Sequence, residues 1–308
     1  MTPGYLALRQ HAAWMDVSAR GRIRVTGEDR ARLLHAMTTN QIQALKPGEG
    51  CYAFFLNAQG RILADVNVLC FEDHFLLDCE PELRPKIYEH LDRYIIADDA
   101  TLEDQTDQIA AIAVEGPEAE SVLRRLGAPV PQEAGSQVTW NSRTVARLSI
   151  TGSGGFFILL PVAEKQAVVD ALNIPEASPE DIRQVRIENG HPRYGEEITE
   201  RYLVQETAQL QAVNFTKGCY IGQEIVERVR SRGQVHRLLR RLEMDTATVP
   251  PAGLKLQVDG ADAAEIASAV FAPALNKTVA LAYVRAPHAD PGTHLTLSGT
   301  PSIVSLPA

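Results

Sequence analysis

Lys217-Gly218-Cys219-Tyr220-Ile221-Gly222-Gln223-Glu224 is the stretch on which the reading of this chain turns. Ile221, Ile225, Val226 and Val229 recur at helical spacing and predict a short amphipathic helix from about Gly222 to Arg230. Cys219 then lies just ahead of the first helical turn, with Lys217 close by. The partial positive charge of a helix N-terminus and a neighbouring ammonium both favour a thiolate over a thiol. Gly218 and Gly222 remove bulk and let a partner approach the sulfur. A buried, inert cysteine in a tight turn fits the same residues. Cys219 and Lys217 are therefore candidate catalytic residues, with that alternative open.

Upstream, Ile23 to Val25 reads as a strand feeding Thr26-Gly27-Glu28-Asp29, a capping signal, and then a helix with Leu33, Leu34 and Met37 on one side. Lys46-Pro47-Gly48 ends that unit. Cys51 to Leu56 and Ile62 to Cys70 are expected strands, and the turn formers Asn57-Ala58-Gln59-Gly60 join them as a hairpin. Phe75 to Asp78 is a third strand, followed by a helix after Pro85 that carries Ile87, Leu91 and Tyr94. The pattern partly recurs: a strand from Ile109 to Val114, Gly116-Pro117 as N-cap and first helical residue, and a helix to Gly127. Strands around Thr144 to Ile150 and Phe156 to Leu160 flank Thr151-Gly152-Ser153-Gly154-Gly155. Ser178 and Pro179 open another helix that ends near Gly190.

After Gly233 the character changes. Leu238 to Glu243, Lys255 to Val258, Ala264 to Phe271, Thr278 to Val284 and His294 to Leu297 are short β segments between Pro and Gly turns, which predicts a small antiparallel barrel. Strand and helix runs without strict βαβ alternation place the chain in the α+β class. The expected domains are 1–235, divided internally near 105, and 236–308.

The 308 residues are 45% hydrophobic and 22% charged, the composition of an ordinary globular protein. No basic, apolar leader and no run of about 18 apolar residues is present, so the cytoplasm is the expected compartment and a membrane partner is not expected. Thirty basic against thirty-nine acidic side chains give a net charge of −9, which argues against direct nucleic-acid binding over the whole surface. Cys51, Cys70, Cys79 and Cys219 show no CxxC pair and no Cys/His metal spacing. Cys70 and Cys79 sit in apolar runs and read as buried strand thiols.

Three further features could carry chemistry. Asp65 is a carboxylate in an otherwise apolar strand, facing outward or facing a ligand; burial would raise its pKa and a cation would lower it. Glu188, in Arg186-Ile187-Glu188-Asn189-Gly190, sits near a helix C-terminus, where a carboxylate opposes the dipole unless it has a partner. It is either solvated or able to accept paired hydrogen bonds from an amino-pyrimidine edge. The basic run Arg228, Arg230, Arg232, His236, Arg237, Arg240, Arg241 is a solvated junction or a site for an anion. The glycine-rich turn at 151–155 lacks the Gly-Lys-Ser/Thr ending of a phosphate loop and is read as a hairpin turn.

Lys217 to Glu224 closely resembles the KGCYxGQE signature of the YgfZ-type folate-binding proteins, relatives of the glycine-cleavage T-protein, an aminomethyltransferase. The likeness extends to Val25 to Arg30, Leu56 to Asp65, Thr151 to Phe156, Arg186 to Gly190 and Ala280 to Arg285. It implies a GcvT-like fold of two α+β subdomains and a C-terminal antiparallel β-barrel around a central opening that binds tetrahydrofolate. By position it implies that Glu188 holds the pterin, that Asp65 and Asn57 lie in the segment facing the folate, and that Arg228 serves the pterin or glutamate region. The YgfZ branch is implicated in the assembly or repair of iron-sulfur clusters, including those of tRNA-modifying enzymes, so the implied partners are iron-sulfur assembly or client proteins. Two departures matter. T-proteins carry paired aspartates where this chain has Ala64-Asp65, and Leu203-Val204-Gln205-Glu206 lacks the proline common before the Gln-Glu pair. A folate-dependent one-carbon transferase and a non-catalytic folate-responsive adaptor are the alternatives.

Overall fold

The structure, a computed structural model, describes residues 1–233, 235–297 and the backbone of 300–305. Thr2 caps α1 (Pro3–Gln10), its hydroxyl accepting from the Tyr5 amide at 3.1 Å. The chain continues through β1 (Ala13–Asp16), β2 (Gly21–Thr26), α2 (Arg30–Met37), β3 (Gly50–Leu56), β4 (Ile62–Cys70), β5 (Phe75–Cys79), α3 (Arg84–Asp92), β6 (Thr101–Asp104) and β7 (Ile109–Glu115). Then come α4 (Ala119–Arg125), β8 (Gln137–Trp140), β9 (Arg143–Ala146), β10 (Gly155–Pro161), α5 (Lys165–Leu172), α6 (Pro179–Glu188) and α7 (Gln223–Arg232). The remaining strands are β11 (Arg237–Met244), β12 (Lys255–Val258), β13 (Ala261–Ala272), β14 (Lys277–Arg285), β15 (His294–Leu297) and β16 (Thr300–Ser305).

These strands form two five-stranded sheets, ordered β3-β4-β5-β2-β6 and β1-β7-β10-β9-β8, and a closed barrel, β11-β14-β13-β12-β15-β16. The strand pairings within all three are antiparallel, which is the expected α+β class with a C-terminal barrel. The first sheet buries Phe55, Ile62 and Val68 with Leu34 of α2 and Leu91 of α3. The second packs Val114, Ile112 and Ile158 against Leu123 of α4 and Leu172 of α5. Leu242, Leu256, Ile266, Val284 and Leu295 fill the barrel.

The hairpin forms as expected, with Tyr52 opposite Asn67 and Phe54 opposite Asp65. Asn57 closes its turn by accepting the Gln59 and Arg61 amides at 3.0 and 2.9 Å. Ser178 and Asp181 make a reciprocal capping box at the start of α6.

Several expected boundaries shift. Thr26 does not cap a helix, because β2 extends through it to pair with Thr101; the helix starts after Asp29, whose carboxylate accepts the Asp99 amide at 2.9 Å. Gly116 takes a left-handed turn (φ 119°) instead of an N-cap, and α4 begins at Ala119. Tyr94 lies beyond the end of α3 and is exposed. The strand expected to reach Ile150 ends at Ala146, since Ser149 to Thr151 instead bind the buried Glu115 carboxylate.

Two glycines let the hairpin tip meet α7. A Cβ on Gly60 would stand 2.8 Å from Ile225 Cβ. Gly222 is left-handed (φ 84°), and a Cβ there would meet the Asn57 carbonyl at 2.7 Å and Leu56 Cβ at 2.9 Å. Gly222→Ala therefore combines backbone strain with a backbone clash and is expected to lower the unfolding free energy by about 2–3 kcal/mol. Urea titration of the purified variant measures this, and a loss below about 0.5 kcal/mol would contradict the packing described.

Candidate functional site

The alternation of a β-strand places Asp65 and Asn67 of β4 on the face that also carries Tyr52 of β3 and Asp78 of β5. That face is polar and lies inside the protein. Tyr52 donates its hydroxyl to Asp65 Oδ2 at 2.7 Å. The Asn67 side chain donates to Asp78 Oδ2 at 3.1 Å, and Arg20 reaches the same carboxylate at 2.8 Å. Arg20 also pairs with Glu80, which takes a second guanidinium from Arg193 at 2.8 Å. Asp65 is 9% exposed, and burial pushes its pKa up to about 6 although the Tyr52 hydroxyl bond pulls the other way. Glu80 adds to the rise and Arg20 opposes it. His191 feels the same Glu80 and Arg20 charges, and burial pushes its pKa down to about 4. Tyr52, Asn67 and His191 are each partly exposed.

Glu188, the last residue of α6, is buried and has the partners its place at a helix C-terminus demands. Tyr5 donates to both of its oxygens, at 2.9 and 3.1 Å, and Arg9 stands 3.4 Å away. Burial raises its pKa, opposed by the Tyr5 hydrogen bond and by Arg9 and Arg241. Its neighbour Asn189 donates to the Thr151 carbonyl and to Ser153 Oγ, both at 2.9 Å. The glycine-rich turn is thus a docking loop for the end of α6.

The Lys217 side chain, expected beside the thiol, directs its hydrogen bonds to backbone. Its ammonium is buried and donates to the carbonyls of His35, Thr38 and Asn40 at 2.5, 2.6 and 2.8 Å. Those carbonyls lie at and just beyond the C-terminal end of α2, where a cation complements the helix dipole. Burial pushes the Lys217 pKa down to about 7, while three carbonyl acceptors favour the charged form. The ring of Tyr220 lies 4.9 Å from the ammonium, and the Ile221 amide donates to the Ala36 carbonyl at 3.2 Å. Cys219 is exposed on the loop so anchored, and α7 begins at Gln223, four residues further on, after the left-handed Gly222.

Asn40 links the two regions. Its side chain donates to the Tyr52 carbonyl at 2.9 Å while its own carbonyl accepts from Lys217. Asn57 also touches the second region, through its carbonyl beside Gly222. Asp65 is thus linked to Lys217 through Tyr52 and Asn40, and Asn57 to the loop of Cys219 through Gly222. Glu188 has a separate set of partners, and Arg228 is exposed on α7 with no side-chain partner among the described residues. Much of the basic run is engaged. Arg237 binds Glu206 at 2.8 Å and covers the stacked rings of Tyr202 and Tyr283. Arg240 donates to the Ala289 carbonyl and Arg241 to the Glu188 carbonyl.

Sequence reasoning passed over Tyr52, Asn40, Arg20, Asp78, Tyr5 and His191. The polar Asp78 in an apolar strand was a signal of the same kind as Asp65. Among the described residues no group of three or more His, Cys, Asp and Glu side chains is placed to hold a metal ion. No helix among them is long and apolar enough to cross a membrane.

Residues 3–217 match the family described as the GCVT N-terminal domain, and residues 237–299 match the glycine cleavage T-protein C-terminal barrel domain. The chain belongs to the GcvT family. It is 28% identical over 306 residues to an aminomethyltransferase of Streptomyces avermitilis, covering 94% of this chain and 82% of that protein. It is 27% identical over 293 residues to a chloroplastic protein of Arabidopsis thaliana provisionally named a transferase, covering 92% and 67%. In fold it superposes on the glycine cleavage system aminomethyltransferase T of Bartonella henselae with a TM-score of 0.89, at 23% identity over 99% of this chain and 88% of that one.

Two outcomes follow from the site's electrostatics. The Asp65 pKa rises on folding from 3.8 to about 6, so the folded chain binds that proton more tightly than the unfolded chain. Asp65 therefore costs stability above pH 6, and the cost disappears as pH falls below about 4. Asp65→Asn should stabilise the protein by about 1–3 kcal/mol at pH 8, with the advantage shrinking toward pH 4. Thermal unfolding across that range checks it; an equal advantage at both ends would contradict it. Lys217→Met takes the donor from three carbonyls, those of His35 and Thr38 in buried bonds, and should cost about 1–3 kcal/mol in urea unfolding. A lysine serving only the thiol would leave stability unchanged.

Proposed function

We propose that the protein binds tetrahydrofolate and acts as a YgfZ-type accessory protein in the cytoplasm for the assembly or repair of iron-sulfur clusters, including those of tRNA-modifying enzymes. Cys219 is its reacting or transiently ligating thiol. The observation that carries this reading is the contrast among the four cysteines. Cys219 is exposed on an anchored loop, Cys70 and Cys79 are buried, and burial pushes the Cys51 thiol up to about 12. A reactive cysteine has to be reachable, and a cluster needs several thiolates, so contact between this single thiol and iron is brief or shared with a partner.

The residues fit a folate. Asp65 offers an acceptor to an amine N–H at an interior face that Tyr52, Asn67 and His191 leave partly open. Glu188 would hold the pterin by exchanging the Tyr5 hydroxyl for ring donors, and Arg228 and the Asn57 turn are the further candidates for the bound molecule. Tetrahydrofolate, when bound, supplies one-carbon chemistry. Asp65 and Tyr52 would orient it, and the anchored loop would present Cys219 alongside.

A second reading is a folate-dependent aminomethyltransferase or related one-carbon transferase. It is favoured by the names of the relatives and by an Asp65 pKa near neutrality, which suits proton transfer. Ala64-Asp65 in place of the paired aspartates of T-proteins, which leaves one carboxylate missing, weighs against it.

Complementation of a deletion strain separates the readings. Cys219→Ser should leave iron-sulfur enzyme activities at the level of the deletion, whereas full rescue would refute the thiol's role and favour an adaptor. Tetrahydrofolate-dependent turnover of an N-methyl substrate, lost in Asp65→Asn and kept in Cys219→Ser, would establish the transferase instead.

A further inference from the structure

The Tyr52–Asp65 pair is built from both sides. Among the described residues, Tyr52 is the side chain that hydrogen-bonds Asp65, and it takes Oδ2 alone, at 2.7 Å. Tyr52 is itself fixed. Its ring packs edge-on against Phe54 at 5.3 Å between centroids, and its carbonyl accepts from Asn40, the residue that also meets Lys217. Its strand position opposite Asn67 brings the hydroxyl diagonally across to Asp65. Among the described residues, no side chain hydrogen-bonds Asp65 Oδ1, and the neighbouring Tyr52 and Asn67 are partly exposed.

We infer that Tyr52 is a positioning residue for Asp65: its hydroxyl locks the carboxylate rotamer and holds it ionised, so that Oδ1 accepts one hydrogen bond from an amine N–H of a bound reduced pterin. The inference deepens the tetrahydrofolate reading and rests on it for the identity of the ligand. A hydrogen bond donated to a carboxylate favours its charged form, and removing that bond in a buried setting raises the carboxyl pKa. Around it, Glu80 and Arg20 act on Asp65 in opposite directions, and Asp78 is occupied by Asn67 and Arg20. Among the described residues the Tyr52 hydroxyl is therefore the neutral side-chain donor to Asp65, and its removal leaves the surrounding charges and the backbone amide in place.

The test is Tyr52→Phe, which keeps the ring and its packing. Two readouts are needed, the Asp65 titration followed by carboxyl carbon NMR in the ligand-free protein, and tetrahydrofolate affinity by calorimetry from pH 5 to 8. The variant should raise the Asp65 midpoint by about one unit. Affinity should then fall by about fivefold at pH 6 and return to within about twofold of wild type at pH 8, following the ionised fraction. In an Asp65→Asn background the same change should leave the pH profile flat. An unchanged Asp65 midpoint, or a loss of affinity equal at every pH, would overturn the inference. If the wild-type protein binds no tetrahydrofolate at any pH, the folate reading fails by itself, and the NMR titration still decides whether Tyr52 governs Asp65.

Discussion

One buried ammonium holds the parts of the candidate site together. Lys217 spends its charge on three carbonyls of the α2 terminus and the loop after it, so the segment carrying Cys219 is fastened to the first sheet before α7 begins. An unpaired charge in such a place would be costly. With three acceptors it becomes an anchor, because each of the three N–H donors of an ammonium finds a carbonyl. The same loop reaches β3 through Asn40, and the hairpin tip reaches α7 through Gly60 and Gly222. The loop of the thiol and the strand of the carboxylate are thus linked through Lys217, Asn40 and Tyr52 although more than 150 residues separate Cys219 from Asp65 in sequence.

The interior polar face is a concession of stability to function. A sheet face bearing Tyr52, Asp65, Asn67 and Asp78 gives up apolar burial that the opposite face collects. Its members are nearly all satisfied. Asp78 takes Asn67 and Arg20, and Glu80 takes Arg20 and Arg193. Asp65 stands apart, held at one oxygen and pushed toward neutrality by burial. Elevated carboxyl pKa values of this kind cluster where a protein has chemistry or binding to do.

Much of the fold was legible because its strongest signals are local. The hairpin announced itself through β-rich runs and the Asn57–Gly60 turn, the α6 terminus through Ser178-Pro179, and the barrel through short strands between Pro and Gly turns. What escaped was short or distant. β6 (Thr101–Asp104) is a largely exposed edge strand that exists because β2 pairs with it. Tyr5 and Glu188 meet across 183 residues, and Lys217 and His35 across 182. Residue type was visible in each case and partner was not, which is why Lys217 read as an activator of the thiol and Arg237, Arg240 and Arg241 read as a patch for an anion. The site residues that were legible are those whose chemistry conflicts with their local setting, such as Asp65 in an apolar strand and Glu188 against a helix dipole.

The placement of β1 bears on how the chain assembles. β1 pairs with β7, almost a hundred residues later, while β2, only five residues after it, belongs to the other sheet. During synthesis the first sheet can condense as soon as β6 has emerged, but the N-terminal helix and strand have no sheet to join until β7 and β10 follow. Such non-local pairing incurs loop-closure entropy before any contact rewards it, and it slows folding. The apolar residues Leu8, Ala13 and Met15 lack their partners Ala111, Ala113 and Phe157 over that interval, and such transiently exposed surface favours aggregation.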